Sequence, residues 1–185
     1  VKEISLNVLD ILENSINAQA KNIKLTVIDD EDKDYLFLEI KDDGKGMSPE
    51  LKEKVFDPFF TSSSNKKVGL GLPLLKYEAE SCGGFVVIES QEGKGTVVKI
   101  KFKKSHVDRP PLGDLVSTIL FIFTTHPEIN FSYIHQYNDK VFEIKTQELR
   151  EACGEDLCSP FIIKGIGELI RNNLNLLYGG DTWTR

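Results

Sequence analysis

The sequence has 185 residues, 23 basic against 29 acidic side chains for a net charge of −6, and 40% apolar residues. That length carries one or two small domains with a real core, and 28% charged residues beside ample Val, Ile, Leu and Phe exclude wholesale disorder. The acidic balance argues against nucleic acid as the main partner, and the longest apolar run, 119–123 within 115–123, is too short to span a bilayer.

Glu3, Asp10 and Glu13 interrupt the first apolar stretch, so no signal-like start is read and a soluble, cytoplasmic protein is expected. Residues 3–19 predict a helix, with Ile4, Val8, Ile11, Leu12 and Ile16 at helical spacing and Asp10, Glu13, Asn14 and Asn17 on another side. Residues 23–28 and 35–40 alternate as strands around the acidic turn 29–34. That turn has Asp34 and Ile40 where a calcium loop needs its glycine and its last glutamate, and it reads as a solvated hairpin tip. Ser48-Pro49-Glu50 starts a short helix ending near Val55, with Ser as cap and Pro at the first position. Residues 57–68 have no period and read as a mobile loop. Helix formers resume over 72–81 and stop at Gly83-Gly84, and 85–90 and 96–102 alternate as a hairpin.

Residues 1–106 hold 16 lysines and no arginine, whereas 107–185 hold three lysines and four arginines. Pro110-Pro111 follows that change, and a module boundary is expected there, separating 1–106 from 107–185. Beyond it, 112–125 predicts a helix that is apolar nearly all round, and 131–137 with 141–145 a hairpin turning at Asn138-Asp139. Ser159-Pro160 opens a last amphipathic helix, with Ile162, Ile163, Ile166, Leu169, Ile170 and Leu174 on one stripe. This stripe would face the first module, its own hairpin or a second chain, making the C-terminal module a candidate homodimer surface. Residues 178–185 show no pattern and are expected to fray. Cys82, Cys153 and Cys158 are odd in number, without CxxC spacing, and read as ordinary reduced cysteines rather than disulfides or metal ligands. His106, His126 and His135 read as linker, loop and strand residues.

Four polar or glycine-rich stations punctuate residues 1–106. Asp10 and Asn14 stand one helical turn apart on one face. An amide oxygen there suits Mg²⁺, and a carboxylate beside it can order a water. Asp42-x-Gly44-x-Gly46 follows a strand. A carboxylate at a strand end accepts from the exocyclic amine of adenine and disfavours guanine, and the glycines would clear side chains from a flat base. Phe56-Asp57-Pro58-Phe59-Phe60-Thr61 leads into a Ser-rich stretch with Lys66 and Lys67, aromatics and ammonium groups that could close on a nucleotide. Gly69-Leu70-Gly71-Leu72-Pro73 opens a helix, where unpaired amides and the dipole favour phosphate.

In this order the stations resemble the Bergerat-fold (GHKL) ATPases, among them sensor histidine kinases, gyrase, mismatch-repair ATPases and a heat-shock chaperone. FDPFFTSS and GLGLPLL, within 56–75, are most similar to the catalytic domain of a sensor histidine kinase, and Gly93-x-Gly95-Thr96 matches that family's last box. The resemblance covers about residues 4–104. It implies an α/β sandwich, a mixed sheet with helices on one face; the small α+β module expected after it rests on the tail's own pattern. It further implies that Asn14 coordinates Mg²⁺ on ATP, that Asp42 binds the adenine amine and that Gly44 and Gly46 shape the base pocket. Thr96 would support the base, and Gly69, Leu70, Gly71 and Leu72 would hold phosphate. Residues 57–68, with Phe60, Lys66 and Lys67 in or beside them, would act as a lid.

Two features depart from the histidine-kinase pattern. No phosphoacceptor helices precede Val1 in this sequence, so the acceptor is expected on a partner protein or on chain beyond it. The wording Glu13-Asn14-Ser15-Ile16-Asn17-Ala18 is also similar to mismatch-repair ATPases, which place a general-base glutamate where Asp10 stands. Three functions follow: a histidine-type kinase acting in trans, an anti-sigma-like serine kinase or switch, and a slow ATPase whose tail transmits nucleotide state. The kinase is favoured by the FDPFF and GLGL wording.

Overall fold

The computed structural model describes residues 3–60, 71–154, 157–180 and 182–185. Helix α1 (Ile4–Asn17) is followed by strands β1 (Asn22–Asp30) and β2 (Tyr35–Asp42), then by helices α2 (Pro49–Lys54) and α3 (Gly71–Ser81). Strands β3 (Phe85–Gln91) and β4 (Gly95–Lys103) complete the first stretch. Helix α4 (Leu115–Thr125), strands β5 (Asn130–Tyr137) and β6 (Lys140–Lys145), and helices α5 (Thr146–Cys153) and α6 (Pro160–Leu177) make up the tail.

All six strands join one mixed sheet in the order β3-β4-β2-β1-β5-β6. Strand alternation puts Leu25, Val27, Leu38, Ile40, Ile100 and Phe102 on one face, each almost fully buried, under the helices. The other face carries Lys24, Lys41, Lys99 and Lys101, exposed or half-buried among the described residues. Strand β5 lies parallel to β1, with Leu25 opposite Tyr133. The helical crossover through α4 makes a parallel pairing possible, which no tight turn can. The change in composition at 106/107 therefore falls inside one sheet with one continuous core.

Residues 110–113 tie the tail to α1. That helix has no side-chain cap, and the Ile4 and Ser5 amides donate instead to the Pro111 and Leu112 carbonyls at 3.0 and 2.9 Å. Gly113 turns at φ +77, where a Cβ would meet Glu3 and Ser5. Asp114 then caps α4 by accepting the Ser117 amide, so α4 starts three residues later than its apolar pattern predicts. The sequence expectation missed α5, whose only buried side chains are Thr146 and Leu149.

Described residues of the stretch expected to fray pack against the rest of the chain. Tyr178 and Trp183 are 7% and 9% exposed, Trp183 Nε1 donates to Asn175 Oδ1, and the Gly113 amide donates to the Thr184 carbonyl. The Tyr178 hydroxyl donates to Asp29 Oδ2 at 2.9 Å, and so takes a proton from His135 Nε2, also at 2.9 Å. His135 Nδ1 is left to accept the Tyr133 hydroxyl at 2.5 Å. Lys104 closes the chain with its ammonium 2.6 Å from Asp29 Oδ1. Burial pushes the His135 imidazole down to about 3, so the ring is neutral inside the core.

Candidate nucleotide-binding site

Strand β2 ends on Asp42, on the helix-covered face and 8% exposed. Ser15, the residue after Asn14 on α1, donates its hydroxyl to Asp42 Oδ2 at 2.6 Å, and the Gly44 amide donates to Oδ1 at 2.9 Å. The two bonds set the plane of the carboxylate and leave lone pairs on both oxygens. Thr96 is directly opposite Asp42 in the β2–β4 ladder, so the two side chains share a face. Its hydroxyl lies 2.8 Å from Ser90 Oγ. Ser90 gives its proton to the Gly95 carbonyl and accepts the Met47 amide, which makes Thr96 the donor in that pair and leaves its lone pairs available.

The glycines of Asp42-x-Gly44-x-Gly46 make close packing possible. Gly46 has φ +66, and a Cβ on it would come 2.0 Å from the Gln91 carbonyl oxygen. Gly95, at φ +94, meets the Asp42 carbonyl as closely, and Gly44 abuts Ala18. What these glycines admit is the protein's own backbone and α1, and that contact brings Asp42 and Thr96 together. The Gly93 amide seals it on the Lys45 carbonyl at 2.7 Å.

Asp10 and Asn14 lie one turn apart on α1, half-buried and exposed respectively. Helix α3 begins against Asp10, since a Cβ on Gly71 would stand 3.2 Å from Asp10 Oδ2. Leu72 follows and packs against the core. A carboxylate thus meets the first turn of an 11-residue helix, with an amide side chain one turn further along α1. Hard oxygen donors suit Mg²⁺ and free helix amides suit phosphate, so this donor set fits a magnesium–nucleotide phosphate. When bound, the metal would neutralise phosphate charge, with Asn14 holding it and Asp10 ordering its water.

Phe60 is half-buried, with its amide on the Asp57 carbonyl at 3.0 Å, while Phe59 is 93% exposed. Phe56 packs on the core beneath the Lys76 ammonium, 4.6 Å from the ring centre. Lys66, Lys67, Gly69 and Leu70 lie outside the described residues, as does residues 61–68 of the expected lid. Two hollows of about 360 Å³ each border the Asp42 turn, and Asp10 and Asn14 line neither.

Sequence reasoning missed Ser15 and Ser90. The available signal for Ser15 was a hydroxyl on the core side of an amphipathic helix, one turn after Ile11 and Leu12. Ser90 sits in a strand where alternation alone says nothing of a bridging role.

Residues 2–106 match the model of the histidine kinase-, DNA gyrase B- and HSP90-like ATPases. The chain belongs to that family. Among its curated relatives, sensor kinase CckA of Brucella abortus is 41% identical over 68 residues, which is 36% of this chain and 7% of that protein. The putative sensor histidine kinase NtrY-like of Rickettsia prowazekii is 35% identical over 102 residues, 55% of this chain and 17% of the relative. The chain therefore matches only a small part of these relatives' length. Among solved structures, the N-terminal domain of a DNA repair protein superposes with a TM-score of 0.56 at 16% identity, covering 78% of this chain and 52% of that one. The Aquifex aeolicus MutL ATPase domain complexed with ADP gives 0.52 at 18% identity, covering 84% and 68%. These two likenesses are of fold, and their coverage runs past residue 106 into the tail. As a member of this family, the chain is an ATP-binding domain of the histidine-kinase type with a mixed-sheet α+β fold. Among the described residues no helix is long and apolar enough to cross a membrane.

Proposed function

We propose that this domain positions Mg²⁺-ATP for phosphoryl transfer to a side chain of a partner protein in a cytoplasmic signalling system. Similarity to sensor kinases over 68 and 102 residues, with the family match over 2–106, carries this reading. Asp42, held by Ser15 and Gly44, accepts the exocyclic amine of adenine, where guanine would present a carbonyl against the carboxylate. Thr96 supports the base from the neighbouring strand. Asn14 holds Mg²⁺, Asp10 orders its water shell, and the amides of Gly69, Leu70, Gly71 and Leu72 hold phosphate. Phe60, Lys66 and Lys67 belong to the lid. The partner's nucleophile attacks the γ-phosphorus in line, the bond to the β–γ bridging oxygen breaks, and ADP leaves. An acceptor in trans agrees with His135, whose two ring nitrogens are both bonded inside the core.

A second reading, a slow ATPase that passes nucleotide state to its tail, is favoured by the likeness in fold to the MutL ATPase domain, which extends into residues 107–185. Incubation with γ-labelled ATP, alone and in host lysate, separates these readings. The kinase reading predicts label on a partner protein that is lost in acid, as for phosphohistidine. Acid-stable label would point to a serine kinase instead. Released phosphate without labelled protein would replace transfer by hydrolysis.

A further inference from the structure

The sheet face opposite Asp42 carries a basic row that the nucleotide reading does not use. Cross-strand register aligns Lys41 on β2 with Lys24 on β1, Lys24 with Ser132 on β5, and Ser132 with Lys145 on β6. Alternation puts all four on the face opposite Asp42, spanning three strand spacings, about 14 Å. Lys94, from the turn between β3 and β4, joins Lys24, Lys41 and Lys145 in lining one hollow of about 360 Å³, with Ser132 and Gln147 also on its wall.

Charge is poorly compensated there. Among the described residues Lys24, Lys41 and Lys94 have no ion-pair partner, and only Lys145 is paired, 3.2 Å from Glu143 and 3.8 Å from Glu148. Two carboxylates also line the hollow: Asp43 is taken up by the Lys21 and Asn22 amides and the Asn22 side chain, and Asp42 by the Ser15 hydroxyl and the Gly44 amide. Two lysines directly opposite each other in an antiparallel pair repel. In a chain of net charge −6, four lysines against Asp42 and Asp43 on the lining of one hollow are a local reversal of sign. Hydrogen-bonding groups at Ser132 and Gln147 stand among them.

We propose that this hollow is a binding site for a small polyanion bearing phosphate or carboxylate groups. The ammonium groups of Lys24, Lys41, Lys94 and Lys145 neutralise it, and Ser132 orients it. The hollow is too small for a folded partner and the charge too concentrated for an apolar ligand. Lys41 and Asp42 are consecutive on β2 and face opposite sides, so the site backs directly onto the carboxylate assigned to adenine. The assignment does not depend on that reading, because the strand register puts Lys24, Lys41 and Lys145 on the face opposite Asp42.

Isothermal titration of the full chain with inorganic pyrophosphate and, separately, with citrate tests the site without nucleotide. The wild type is expected to bind at least one of them saturably, with affinity falling steeply as salt is raised. Pyrophosphate alone binding would assign phosphate chemistry, and citrate alone carboxylate chemistry. Lys24→Gln with Lys41→Gln is expected to weaken binding by about tenfold or more, while the variant melts no lower than the wild type because a repulsion has been removed. No binding of either anion to the wild type would overturn the proposal. Equal binding by the wild type and the double variant would overturn it too, placing the anion elsewhere.

Discussion

At the level of single residues, Asp42 and Thr96 were legible because each sits in a glycine-marked turn at a strand end, and strand alternation fixes which face they share. Ser15 was not legible, because its role depends on where β2 ends relative to α1, a distance of 27 residues in sequence. The Ser15 hydroxyl bond to a nearly buried carboxylate has a direct consequence for binding. Ser15→Ala leaves Asp42 held only by the Gly44 amide, and a hydrogen bond to a charged group contributes about 1.5–3 kcal/mol. ATP affinity measured by titration is expected to fall about tenfold, with the fold retained. Unchanged affinity would mean that Ser15 does not orient the carboxylate.

At the level of elements, most helices and strands were legible from periodicity, and the misses have local causes. Helix α4 starts late because Gly113 turns at positive φ and Asp114 caps, and α5 was hidden because only Thr146 and Leu149 are buried in it. The packing after α6 carries no local pattern, because Tyr178 is anchored by partners far away in sequence, Asp29 and His135. That anchoring makes stability depend on pH. His135 sits at about 3 in the fold against an ordinary 6.5, so the unfolded chain binds the extra proton between those values. The stability this neutral ring provides is fully present above about pH 6.5 and is lost as pH falls towards 3, by up to about 1.4 kcal/mol per pH unit. His135→Phe, which loses both ring hydrogen bonds, is expected to lower the midpoint of denaturant unfolding at pH 7. Its stability should also change less between pH 6.5 and 4.5 than that of the wild type. An identical pH slope in both would contradict a buried neutral histidine.

For the whole molecule, strand alternation cannot say which strand a strand will pair with. The β1–β5 parallel pairing is non-local and carries no turn signal, so the continuation of the sheet across residue 106 could not be read from composition. Its energetic meaning is that the nucleotide motifs and the tail share one core. A fragment of residues 1–106 would expose the edge of β1, uncover Leu25 and Val27, and strip the Pro111 and Leu112 carbonyls from the start of α1. It is expected to aggregate or to lose its cooperative thermal transition, read by circular dichroism, and a sharp melt at the full chain's temperature would refute this. In the full chain the single tryptophan, Trp183, reports the same docking, with emission that shifts to the red only when the sheet unfolds. The central claim is that Asp42 reads adenine at the end of β2. Calorimetric titration of the wild type and Asp42→Asn with Mg²⁺-ATP and Mg²⁺-GTP tests it most directly. The account predicts ATP binding by the wild type, much weaker GTP binding, and a loss of about 10- to 100-fold in ATP affinity in the variant. Equal ATP affinity in a folded Asp42→Asn variant would contradict it.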